Sequence, residues 1–227
     1  MLQTQDIKGF TLLELLVVVA LISIISAIGI PNFSGWKKDR EVRTASEKIA
    51  AVLSGVNAQT KRGSFPYVQM YIDSNKLITS TTPNFNGTII KGRGMTKTQL
   101  TKDLNSGNFP NCDTKFPANL NSWEKPSFDY ELRNIYLHFG GSSPSAICYS
   151  VDETYYATVG VLATNQNISL DQGITDRYII VCSYHDAKNA GKCDTKSPGL
   201  KKPAYLIEWS RFGNVRKYKW SGSDWIR

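Results

Sequence analysis

From Phe10 to Ile30 the chain reads F-T-L-L-E-L-L-V-V-V-A-L-I-S-I-I-S-A-I-G-I, 21 residues with one ionisable side chain, Glu14. As a helix this run rises about 30 Å, enough to cross the hydrocarbon core of a bilayer. Glu14 is the anomaly, because a carboxylate in a spanning helix costs roughly 2.5–3.5 kcal/mol at mid-membrane and requires a partner. Nothing basic lies within the run, so the partner must come from outside it. Cleavage after Gly9 would supply one. Phe10 would gain a free amine, and Glu14 would become the fifth residue of the new chain. Its own amine would lie one helical turn away, and a neighbouring subunit's amine could pair with it across a helix bundle.

Two plainer readings fit less well. A secretory signal peptide has a shorter apolar core, with a small-residue cleavage site after it. Here the run is longer, carries Glu14 and ends in Ile30-Pro31-Asn32. A simple single-pass anchor leaves Gly9-Phe10 followed by an acid unexplained. The short leader ending Lys8-Gly9, then Phe10-Thr11-Leu12-Leu13-Glu14, then the apolar helix closed by Pro31 resemble the type IV pilin and pseudopilin superfamily. The resemblance implies an α+β, pilin-like fold whose long N-terminal helix, transmembrane in its first half, packs on an antiparallel β-sheet. It implies cleavage by a prepilin peptidase after Gly9, N-methylation of Phe10, and a role for Glu14 in setting subunit register in a filament. The expected location is the bacterial inner membrane, single-pass, with the head in the periplasm, and the partners are other pilin or pseudopilin subunits. The expected segments are a leader over 1–9, the membrane helix over 10–31, its amphipathic continuation over 32–63 and a β-rich head over 64–227.

Pro31 is expected to kink or interrupt the helix by removing a backbone donor. Phe33 and Trp36 suit a membrane interface, with Lys37 and Lys38 just beyond. Those lysines lie on the outer side if the leader is inside, against the usual charge bias. From Asp39 to Arg62 the apolar residues Val42, Ala45, Ile49, Val52, Leu53 and Val56 form one helical stripe, opposite Arg40, Glu41, Arg43, Glu47 and Lys48. Gly63 is a stop signal.

Beyond Gly63, Tyr67–Ile72 has strand composition, Thr79–Asn86 reads as loop, and Lys91-Gly92-Arg93-Gly94 reads as a solvated basic loop. Lys97–Leu104 suits a short helix, and Asn105–Pro126 a long loop. In Arg133–Phe139, Ile135, Leu137 and Phe139 alternate with Asn134, Tyr136 and His138, which predicts a half-buried strand with His138 outward. Ala146–Val151 with Tyr155–Ala163, and Ala204–Ser210 with Asn214–Trp220, read as hairpins, and Tyr178–Cys182 as another strand. Successive hairpins predict one antiparallel sheet covered by the amphipathic helix.

Four cysteines, Cys112, Cys148, Cys182 and Cys193, follow the membrane run at spacings that match no zinc site, and only His138 and His185 accompany them. On the outer side of a bacterial membrane an even count reads as two disulfides. The polar, turn-rich segment between Cys182 and Cys193 favours that pair, leaving Cys112 with Cys148. No metal or cofactor is expected, and no G-x-S-x-G, H-E-x-x-H or nucleotide-binding loop is present, so the chain is not expected to be an enzyme.

Lys and Arg outnumber Asp and Glu by 27 to 19, and the excess is concentrated near the C-terminus. Around the last hairpin, Arg211, Arg216, Lys217 and Lys219 interleave with Trp209, Phe212, Tyr218, Trp220 and Trp225. Cations neutralise phosphates and aromatic faces stack on bases, so this mixture suits DNA. Alternation offers a structural reading instead, with Arg216, Tyr218 and Trp220 on one sheet face and Val215, Lys217 and Lys219 on the other. The chain from Arg43 through Gly63, with its closing hairpin, also resembles the GspH/FimT branch of minor pilins and pseudopilins. Some members of that branch bind DNA in natural transformation through a G-R-x-R element. The matching positions here are Gly213-Asn214-Val215-Arg216, with Asn214 in place of the first arginine. The leading expectation is a minor pilin or pseudopilin. Its alternatives are a DNA-binding minor pilin and a tip adhesin acting through Asn105–Pro126.

Overall fold

The computed structural model describes residues 11–63, 65–78, 85–106, 128–138, 145–151, 155–157, 178–184, 193, 202–210 and 213–227. Helix α1 spans Leu12–Lys61. Thr11 caps its start, where the Glu14 N–H donates to Thr11 Oγ1 at 3.2 Å and the Leu15 N–H to the Thr11 carbonyl at 3.2 Å. A threonine hydroxyl at this position satisfies an amide that no earlier turn can serve. At the other end Gly63 takes φ of +70°, a conformation that costs glycine little, and its N–H bonds the Thr60 carbonyl at 2.9 Å. The expected interruption at Pro31 is not found, and the helix runs through that position. One proline removes a single rung of the ladder, which the turns on either side carry across.

The chain divides into two compact units, Met1–Arg40 and Glu41–Arg227. The described part of the first is helix. Its apolar side chains are exposed from Leu12 to Ile25, and side chains 27–32 lie outside those described. Among the described residues, no helix is long and apolar enough to cross a membrane.

The second unit is the head. It holds β1 (Tyr67–Ile78), β2 (Phe85–Met95), α2 (Lys97–Asn105), β3 (Phe128–Arg133), β4 (Ile135–His138), β5 (Ser145–Ser150) and β6 (Tyr155–Ala157). After these come β7 (Tyr178–Ser183), β8 (Ala204–Trp209), β9 (Val215–Trp220) and β10 (Trp225–Ile226). The single expected sheet is two, in the orders β3-β2-β1-β5-β6 and β10-β9-β8-β7-β4, and every described pairing is antiparallel. The chain changes sheet between β3 and β4 at Asn134, whose φ of +55° is one that asparagine tolerates better than most side chains. Two hydrogen bonds pin the crossing: Thr88 Oγ1 donates to the Ile135 carbonyl at 3.0 Å, and the Tyr184 N–H to the Asn134 carbonyl at 2.7 Å.

The helical stripe works as its spacing predicts. Val42, Ala45, Ile49, Val52, Leu53 and Val56 are buried in one core with Val68, Met70 and Ile147 of the first sheet and Ile179, Ile207 and Trp209 of the second. Each large aliphatic side chain fully buried there contributes about 1.5–3 kcal/mol. The outer face of the second sheet carries another buried cluster, which includes Tyr178, Tyr218, Trp220 and Trp225.

Other expectations fail in the head. Phe85 and Asn86, expected within the Thr79–Asn86 loop, open β2 and pair with Ile78 and Leu77. Lys91-Gly92-Arg93-Gly94 is strand, paired with Val68–Tyr71 of β1. The glycines are strand residues for a packing reason, since a Cβ at Gly94 would run into the ring of Phe65. Arg93 is fully buried, and burial lowers its guanidinium to about 10, still cationic at neutral pH. His138 is buried rather than outward. Alternation predicts exposure only when one sheet face meets water, and here Tyr136 packs into the outer cluster from the same strand. Phe139 and the segments 79–84 and 107–127 lie outside the described residues.

Candidate functional site

Glu14 sits in the first turn of α1, where an acid is favoured by the partial positive charge of the helix N-terminus. Around it Leu12, Leu13, Leu15, Leu16 and Val17 are 47–83% exposed, so this end of the helix presents aliphatic surface on all sides. An apolar cylinder with one carboxylate near its start has a defined chemistry. It associates with lipid or with other apolar helices, and only a basic group brought by a partner offsets the cost of its acid. Gly9 and Phe10 lie outside the described residues.

About five helical turns further on, Phe33 and Trp36 are 61% and 56% exposed, with ring centroids 5.6 Å apart. The Arg40 guanidinium carbon lies 5.5 Å from the centre of the Trp36 ring. This spacing is within cation–π range.

At the other candidate site, β8 and β9 place the aromatic residues in the protein interior. Trp209 is in the main core, and Tyr218, Trp220 and Trp225 are in the outer cluster, with Trp220 and Trp225 ring centroids 5.1 Å apart. These rings have neighbours to pack on and are not displayed for stacking. The cations are split between the two sheet faces, as alternation predicts. Arg216 shares its face with Tyr218 and Trp220 and is the register partner of Glu208, whose Oε2 accepts from the Tyr218 hydroxyl at 3.3 Å. Lys217 and Lys219 are on the helix side, each with Nζ 5.8 Å from the Tyr205 ring centre. Lys217 Nζ also donates to Glu47 Oε1 of α1 at 3.2 Å, and Arg43 Nε donates to the same oxygen at 3.1 Å. The bonds from Arg43 and then Lys217 hold the Glu47 carboxyl below its usual range. Arg211 and Phe212 lie outside the described residues, as does the whole interior of the 107–127 loop.

Gly213, the first residue of the resembling element, is explained by this packing. Its φ is +78°, and a Cβ there would collide with the side chain of Asn57 on α1. The turn is held by the Gly213 N–H to the Ser210 carbonyl at 2.9 Å and the Ser210 N–H to the Asn214 carbonyl at 2.9 Å. Sequence reasoning missed this turn-to-helix contact, because no local pattern marks which helix residue a distant glycine will meet.

The expected disulfide between Cys182 and Cys193 is formed, with Cα atoms 6.1 Å apart. Cys148 is also disulfide-bonded, and Cys112 lies outside the described residues. Among the described residues no group of His, Cys, Asp and Glu side chains is placed to hold a metal ion.

A long helix opens apolar, carries one acid in its first turn, and buries its second half in an antiparallel β head. The Prokaryotic N-terminal methylation motif matches residues 5–30. Over 100 residues the chain is 28% identical to a protein named Type IV major alpha-pilin from Moraxella bovis, covering 44% of this chain and 63% of that protein. Over 102 residues it is 28% identical to a protein named Fimbrial protein from Pseudomonas aeruginosa, covering 41% of this chain and 59% of that one. The chain thus spans about three-fifths of the length of the curated relatives it matches. No solved structure matches it. The chain carries the prepilin-type methylation motif at its N-terminus and, over less than half of its length, is similar to type IV pilin proteins.

Proposed function

We propose that this protein is a filament subunit, a minor pilin or pseudopilin, processed after Gly9 and methylated at Phe10. It is held in the bacterial inner membrane by α1, with its head in the periplasm, until assembly. Apolar helices then bundle, and Glu14 pairs with the Phe10 amine of a neighbouring subunit. The observation that carries this reading is the lone carboxylate in an otherwise apolar, exposed first turn, at the start of a helix whose other half is head core. The match to the methylation motif over residues 5–30 encloses the cleavage site and Glu14 and supports the same reading.

Mass spectrometry of sheared filaments tests both levels. The expected N-terminal peptide begins at methylated Phe10, in few copies relative to the dominant subunit. A mature chain beginning elsewhere removes the processing step, and a chain that is itself the dominant subunit removes the minor role.

A further inference from the structure

Phe33, Trp36, Lys37 and Arg40 follow one another at helical spacing and share one face of α1. Measured along the axis from Leu12, Phe33 lies about 31 Å away and Trp36 about 36 Å away. That places Phe33 at the far lip of a hydrocarbon core about 30 Å thick and Trp36 and Arg40 in the headgroup layer beyond it. Between Phe33 and Arg40 the charged residues are Lys37, Lys38, Asp39 and Arg40, a cationic excess on the side where the usual charge bias expects none. The Arg40 guanidinium carbon, 5.5 Å from the centre of the Trp36 ring, ties the cation to the aromatic pair, and a guanidinium can bond two oxygens of one phosphate.

We infer that this face is a docking surface for the phosphate headgroups of anionic phospholipids, with Phe33 and Trp36 at the lip of the hydrocarbon and Arg40 and Lys37 on the phosphates. The inference rests on the anchored-subunit reading above and adds to it a depth and a lipid preference. Its consequence is a fixed height for the subunit in the bilayer before assembly. The cationic collar stops the helix from sinking, and the aromatic pair stops it from rising.

The full chain, reconstituted at low protein-to-lipid ratio in phosphatidylcholine vesicles, is titrated with phosphatidylglycerol brominated either near the headgroup or near the chain ends. Tryptophan emission is compared between wild type and W36F, which isolates the Trp36 signal from that of the other tryptophans. The expected result is stronger quenching by the shallow bromines, lost in W36F. In R40Q the amount of brominated phosphatidylglycerol needed for half-quenching should rise about fivefold, the factor expected for one basic group near an anionic surface. Trp36 emission that is unquenched, or quenched more by the deep bromines, in a chain that floats with the vesicles overturns the inference and leaves the anchored reading standing. Equal titrations for wild type and R40Q overturn the phosphate pairing. A chain that does not float with the vesicles overturns the anchored reading and this inference with it.

Discussion

A Cβ at Gly213 would occupy space that the Asn57 side chain already fills, on a backbone whose φ of +78° suits glycine. Both penalties fall on the folded state, so Gly213→Ala is expected to destabilise the head by about 1–3 kcal/mol, read as a lower thermal midpoint by circular dichroism. Glu47 gives a residue-level prediction with a pH signature. Its folded pKa is depressed by Arg43 and Lys217, so its stabilising contribution is present above the unfolded carboxylate range and lost as pH falls through the folded value. These groups are well exposed, so Glu47→Gln should cost only about 0.2–1 kcal/mol at neutral pH, and denaturant titrations in acid should show wild type and variant converging. At this scale the sequence was only partly informative. The face of each residue in Val215–Trp220 follows from alternation, but the partner of Lys217 lies 170 positions away. Contacts of that range leave no local trace. Arg93 was misread as solvated for the same reason, since two glycines beside a cation look like a loop until Phe65 is seen against one of them.

The second half of α1 was the most legible element, because its stripe recurs at helical spacing and every stripe residue is buried. Leu53 is fully buried among residues of the core, so Leu53→Ala should cost about 2–5 kcal/mol, checked by denaturant unfolding of the chain in detergent. The closing hairpin of β8 and β9 and the pairing of β5 with β6 were also visible in advance, since each combines a short turn with strand composition. The hairpin of β1 and β2 was not. Only Tyr67–Ile72 has the composition that marks a strand; Ser74-Asn75-Lys76 beyond it is polar, and the partner strand contains three glycines. His138 erred in the opposite sense. Its strand does alternate, but both faces of that sheet are covered, and a period of two then says nothing about which side meets solvent.

At the scale of the molecule, a helix covering antiparallel strands was readable from the order of patterns, whereas the division into two sheets was not. The change of sheet takes place across Asn134 alone, with strand on either side, and one left-handed residue gives little notice in a sequence. The link from Cys182 to Cys193 holds the chain after β7 against the outer cluster, across a sequence separation of 11. Replacing both cysteines by serine should cost about 2–3 kcal/mol, measured as a shift in the denaturation midpoint relative to the oxidised wild type. The uninterrupted course of α1 has a mechanical consequence. The rod that enters the head is also the largest contributor to its interior, so tension applied along the rod loads Val42 through Val56 in shear, all at once, instead of peeling them away one by one. In the filament proposed above, the heads should therefore stay folded under pulling, and the contacts between rods should give way first.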